Sequence, residues 1–279
     1  LINLYETKMI ELIATPTIYL CVALFGLILG SFLNVLIYRL PLMLESDSDI
    51  SPKEIFNLIQ PRSFCPHCKT QLTLLENIPL LSFILLAGKC RHCKQSIAMQ
   101  YPIVELASAL LACIAIKQFG LTANGLFAMV FLLGLLALAV IDINTMTLPD
   151  ELTLGLLWLG LAFNLFGSFV TLEESVLGAM IGYLSLWLVF QLHRLLTNRE
   201  GMGYGDFKLL AMIGACLGWT ILLPTILIAS ISASVIGITL LLFGKLKKDS
   251  AMPFGPFLAL GASICLLWHD QLNDYFFNY

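Results

Sequence analysis

"GMGYGDFKLL" (Gly201–Leu210) places a carboxylate, Asp206, behind three glycines and directly ahead of an apolar run. At the end of a bilayer span such an acid is costly, and acids there usually serve function. Composition supplies the bilayer. Of the 279 residues 59% are hydrophobic and 12% charged, and the mean hydropathy is +0.91. Soluble domains carry roughly twice that charged fraction. The formal net charge of −3 argues against a nucleic-acid partner.

Working outward, the apolar run after Asp206 is one of eight candidate spans, each compared with the roughly 20 residues a bilayer requires. They lie near 16–38, 102–119, 121–141, 151–170, 174–195, 207–222, 224–244 and 253–268. The sixth is short, contains glycine and is bounded by Pro224. With both termini outside, this map puts all but Lys8 and Lys117 of the 15 Lys and Arg residues on the cytoplasmic side, as the positive-inside rule requires. The first run continues into "GSFLNVLIYRLP" (Gly30–Pro41) without a small-residue cleavage site, so it reads as a retained span and not a signal peptide. The sequence opens on Leu1, and Met9 is a candidate native start, with the residues before it expected to be non-native. The expected fold is all-α and polytopic. Residues 1–39 hold the N-terminal segment and first span, 40–100 form a cytoplasmic insert, and 101–279 form a multi-helix membrane domain.

The insert contains "CPHC" and "CRHC", with Cys65, Cys68, Cys90 and Cys93. Two-residue spacing lets both thiolates of a knuckle face one ion, and two knuckles complete a tetrahedral four-sulfur shell suited to zinc. A cytoplasmic location disfavours stable disulfides. The bland alternative is redox or incidental cysteine pairs. His67 and His92, inside the knuckles, are spacers or substitute ligands. A closed sulfur shell leaves no site for water, so the expected role of zinc is structural. Cys21, Cys113, Cys216 and Cys265 fall in apolar spans and read as packing residues.

Four acids stand within or at the ends of spans: Glu105, Asp142, Asp150 and Asp206. Asp150, after Pro149, reads as an N-cap or as a substrate-orienting group. Asp206 also has an N-cap reading, and Glu105 one as structural glue to Arg39 or Lys208. Asp142 ends a long apolar run at a helix C-terminus, where the dipole disfavours an anion. Two carboxylates in different protonation states can run acid–base chemistry on water without a metal or a covalent intermediate. Asp142 and Asp206 are the candidate catalytic pair. No Ser/His/Asp alternative stands out. His67 and His92 lie in the knuckles, His193 is beside Arg194, and His269 is on the opposite side of the membrane.

The chain resembles the type IV prepilin peptidases, bifunctional leader peptidase/N-methyltransferases of bacterial inner membranes that also serve type II secretion. The resemblance rests on "GSFLNVLIYRLP", the double knuckle, "NIPLLSF" (Asn77–Phe83) and "YPIVEL" (Tyr101–Leu106). It continues through "IDINTMTLPDELT" (Ile141–Thr153), "GMGYGDFKLLA" (Gly201–Ala211) and "PFGPFLALGA" (Pro253–Ala262). It implies Asp142 and Asp206 as the protease pair, as in other GxGD proteases. It implies prepilin or pseudopilin substrates cleaved at the cytoplasmic face, and methylation of the new N-terminal residue from S-adenosylmethionine. The four-cysteine zinc segment goes with that second activity. No glycine-rich strand–helix pattern marks a site for the methyl donor, and its ligands stay unassigned. Glu105, "GSFLN" and "PFGPF" are candidates, each with a packing or capping alternative.

Two rivals belong to other classes. A proton-coupled transporter would place acids deeper in the bilayer and break helices at mid-depth. A membrane-tethered zinc scaffold would leave Asp142 and Asp206 unexplained.

Overall fold

The computed structural model describes residues 2–46, 57–198, 203–244 and 252–268, with side chains in the first stretch described for 16–44. The side chains of Lys8 and Met9 lie outside the described residues. So do Lys53, Arg199, Gly201, Lys245, Lys247, Lys248 and His269.

Among the described residues the regular elements are helical, apart from two isolated β-bridges. The helices are α1 (Ile2–Ser46), α2 (Leu81–Leu85), α3 (Gln100–Phe119), α4 (Ala123–Thr145), α5 (Asp150–Asn164), α6 (Leu172–Thr197), α7 (Tyr204–Leu217), α8 (Leu222–Leu242) and α9 (Gly255–Leu267). All but α2 match the eight apolar runs. Five are long and apolar enough to cross a membrane: Pro16–Leu44 within α1, then α3, α4, α6 and α8. The chain is a multi-pass membrane protein. The other three, with 15, 14 and 13 residues, fall short of the roughly 20 needed to span alone.

The fourth run was expected to continue to residue 170, but its helix stops at Asn164. The Asn164 amide donates to the Ala215 and Cys216 carbonyls at 3.1 and 3.0 Å. Its Oδ1 accepts the Phe169 N–H at 3.3 Å. A buried amide therefore ties the end of α5 to the last turn of α7, and the chain turns there. The next helix starts on a capping box, with Thr171 and Glu174 each accepting the other's backbone N–H.

The chain packs as two units, Leu1–Leu133 and Gly134–Tyr279, and the boundary falls within α4. In the first, α1 packs on α3 through small residues. A Cβ on Gly26 would lie 2.7 Å from Ala109 Cα, and one on Gly30 would lie 2.7 Å from Glu105 Cα. The glycine of "GSFLN" is thus a packing residue. In the second unit α7 is the core, packed by α5, α6, α8 and α9. Asp206, Phe207 and every residue from Leu209 to Leu217 are buried. A helix apolar all round belongs inside, which is why α7 need not reach spanning length. Gly178 of α6 and Gly214 of α7 meet backbone to backbone. The outer faces of α6 and α8 expose Val189, Leu192, Ile231 and Val235, as lipid contact requires.

Candidate active site and metal centre

Asp142 sits in the last turn of α4 and is 5% exposed, and Asp206 sits in the first turn of α7 and is 8% exposed. The second unit brings these two carboxylates, far apart in sequence, close enough for Asp142 to act electrostatically on Asp206. The backbone N–H of Gly255, at the start of α9, donates to Asp142 Oδ2 at 2.9 Å. The positive end of α9 thereby meets an acid that the end of its own helix disfavours. A Cβ on Gly255 would stand 2.7 Å from that oxygen, so a glycine is needed here.

Asp206 lies at N3 of α7, and the N-cap position belongs to Gly203, so the N-cap expectation for Asp206 is corrected. The first turn of α7 is anchored by aromatic rings. Tyr204 and Phe207 both pack on Phe190 of α6, with centroids 5.3 and 5.6 Å away, and Phe207 meets Tyr183 edge-on at 6.0 Å. Gly205 faces the loop before α5, where a Cβ would come 2.9 Å from Leu148 Cβ. This close approach seats "GYGD" against "TLPD". Gly203, by contrast, has ordinary extended backbone and open space around it.

Asp150 is likewise not an N-cap. Pro149 holds that position, and the Asp150 carboxylate takes Lys208 Nζ on both oxygens at 2.7 Å. The Lys208 charge is engaged there. Glu105 belongs to the first unit, where its Oε2 accepts the Leu80 N–H at 2.8 Å. Arg39 donates to the carbonyls of Asn57 and Pro61 at 2.8 and 2.7 Å. Glu105 thus has a backbone donor and Arg39 two backbone acceptors. Gly255, Leu148 and Leu80 were missed from sequence because backbone groups and close contacts carry no residue-type signal; "PFGPF", weighed there for the methyl donor, contacts Asp142 through Gly255.

The four cysteines converge. The Cys65–Cys93 and Cys68–Cys90 sulfurs are 3.9 and 4.0 Å apart, and all four lie within 4.8 Å of one another. Zn–S bonds of about 2.3 Å in a tetrahedron place sulfurs about 3.8 Å apart, so the residues fit zinc. The two knuckles are built alike. Cys65 N–H bonds Thr70 O and Cys90 N–H bonds Gln95 O. Lys69 and Lys94 adopt left-handed φ of 57° and 60°, and bridges Phe64–Gln71 and Lys89–Ser96 close the turns. The side chain and backbone of Thr70 hold the Cys68 thiol down to about 6. Backbone N–H groups of Cys93 and His92 lower Cys90. Both favour the thiolate that a metal needs. His67 and His92 lie outside the cluster.

The fold and these two centres define a multi-pass helical membrane protein with a buried carboxylate pair and a four-cysteine knuckle. Residues 24–119 match the family described as Bacterial Peptidase A24 N-terminal domain, and residues 129–238 match the Type IV leader peptidase family. The prepilin leader peptidase/N-methyltransferase of Stutzerimonas stutzeri is 46% identical over 91% of this chain and 92% of its own length. That of Pseudomonas aeruginosa is 46% identical over 91% of each. That of Pectobacterium carotovorum subsp. carotovorum is 49% identical over 85% of this chain and 88% of its own. No solved structure matches the chain significantly. The chain belongs to the prepilin leader peptidase/N-methyltransferase family.

Two outcomes follow from this geometry. Elemental analysis of the purified protein should find about one zinc per chain, lost in Cys65→Ser and Cys90→Ser. Gly205→Ala should lower the melting temperature in detergent by several degrees because Leu148 must move. Gly203→Ala, into open space, should leave it unchanged.

Proposed function

We propose that the chain is a membrane aspartic endopeptidase that removes the leader from type IV prepilins or type II secretion pseudopilins. It then N-methylates the residue exposed. Cleavage takes place at the cytoplasmic face of the bacterial inner membrane. The observation that carries this reading is the buried pair Asp142 and Asp206, delivered to one site by opposite helix ends. One carboxylate, ionised, takes a proton from water. The other, protonated, donates to the scissile carbonyl oxygen as the hydroxide adds. Collapse of the gem-diol breaks the C–N bond; the departing amine receives the proton that the base had taken, and one hydroxyl returns its proton to the other carboxylate. The Gly255 N–H holds the Asp142 carboxylate in one orientation throughout.

Residues 40–100 form the zinc-binding insert and 101–279 carry the protease site. Zinc is structural here, held by Cys65, Cys68, Cys90 and Cys93, whose sulfurs fit the ion. S-adenosylmethionine, when bound, supplies a sulfonium methyl group to the amine nitrogen. A buried acceptor without a hydrogen-bond partner in the first unit, Asn34 Oδ1, supports a ligand with a donor group there.

The test is cleavage of a purified prepilin by the full-length protein in detergent. Asp142→Asn and Asp206→Asn should each lower the rate by at least about a thousandfold while membrane insertion is kept. Gly255→Ala should cost about tenfold to a hundredfold by displacing Asp142. Normal cleavage by Asp142→Asn would refute the assignment.

A further inference from the structure

The first unit contains a cavity of about 430 Å³ that the carboxylate site does not use. Small-molecule and cofactor sites run from about 300 to 1,000 Å³. Its walls come from α1, the four-cysteine insert and the start of α3. Asn34, on α1, is 3% exposed and lines it. The Asn34 Nδ2 donates to Tyr101 O at 3.0 Å, which ties α1 to α3. Its Oδ1 is buried without a hydrogen-bond partner. A buried acceptor with no donor is costly and rare in native structures, so this atom points to a ligand.

Glu105 lines the same cavity one helical turn past Tyr101. The Leu80 N–H that bonds its Oε2 comes from a residue held at φ 56°, a conformation that leucine rarely adopts. Backbone strain is thus spent on orienting this carboxylate. At the insert side stand Arg91 and His92, both exposed, with Glu76 beside them. An occupant matched to these groups offers an N–H donor to Asn34, a cation to Glu105 and an anion toward Arg91 and His92. S-adenosylmethionine carries an aromatic amine, a sulfonium with an ammonium, and a carboxylate.

We infer that this cavity is the methyl-donor site, with Glu105 as counter-charge to the cationic methionine part and Asn34 Oδ1 as acceptor for a donor N–H. This rests on the methyltransferase reading above. The four-cysteine cluster forms part of the wall through Cys65 and Cys90, so a structural metal there shapes the pocket without touching the chemistry.

The experiment uses the full-length protein in detergent with S-adenosylmethionine as probe. Binding is measured by calorimetry, and methyl-tritiated probe is cross-linked by ultraviolet light and mapped to peptides. The expected result is label in peptides covering residues 31–39, 63–97 or 98–105. Glu105→Gln and Asn34→Ala should each weaken binding at least tenfold, with zinc content and melting temperature checking the fold. If a variant unfolds, the wild-type label map decides alone. Label confined to residues 134–279, or unchanged affinity in both folded variants, would overturn the inference and leave the methyltransferase reading standing. Wild-type protein that neither binds the probe nor methylates a peptide with a free N-terminal phenylalanine would overturn both.

Discussion

Asp142 ends a helix whose dipole repels it, in a site from which water is largely excluded, and the Gly255 N–H at 2.9 Å answers that constraint. A hydrogen bond to a charged group contributes about 1.5–3 kcal/mol, whereas desolvating a carboxylate costs several. One bond therefore offsets only part of the cost, and the positive end of α9 supplies more. Much of the second unit follows from this need. The start of α9 has to reach the end of α4, which requires a residue without a Cβ, and Pro256 then fits the first helical turn where its missing N–H costs nothing. Further along, Gly261 lets α9 approach α8, where a Cβ would lie 2.6 Å from Thr225 O.

Asp206 is presented by opposite means. It stands at a helix N-terminus, on the most buried helix of the unit, and its turn is fixed by Tyr204 and Phe207 against Phe190. The two acids therefore have unlike surroundings, one held by a backbone donor from another helix and one by the start of its own. Such asymmetry is what lets a pair of identical groups divide the roles of acid and base. The Lys208–Asp150 pair joins α7 to α5 beside the site, so the carboxylate of "TLPD", Asp150, acts as a tie between helices.

The apolar runs, the two knuckles and the two motif acids were legible in the sequence because each is written in residue type and spacing. The ends of the short helices were not. Asn164 stops α5 through carbonyls of α7, a contact that no local pattern records. The Asp150 partner of Lys208 was not legible for a similar reason, since only packing brings the two together. The glycines of "GMGYGD" read alike in sequence yet differ in space. Gly205 is pressed against Leu148, whereas a Cβ on Gly203 would meet open space. Gly255 was invisible as a site residue because its contribution is an N–H that every residue except proline owns.

If Asp142 and Asp206 hydrolyse the leader bond together, neither retains its function without the other. A double-mutant cycle on the single-turnover cleavage of a prepilin, with Asp142→Asn, Asp206→Asn and both, measures that dependence directly. The account predicts that the double variant is no slower than either single variant. Losses that multiply, or a single variant that keeps most of its rate, would show that the two carboxylates do not work as one unit.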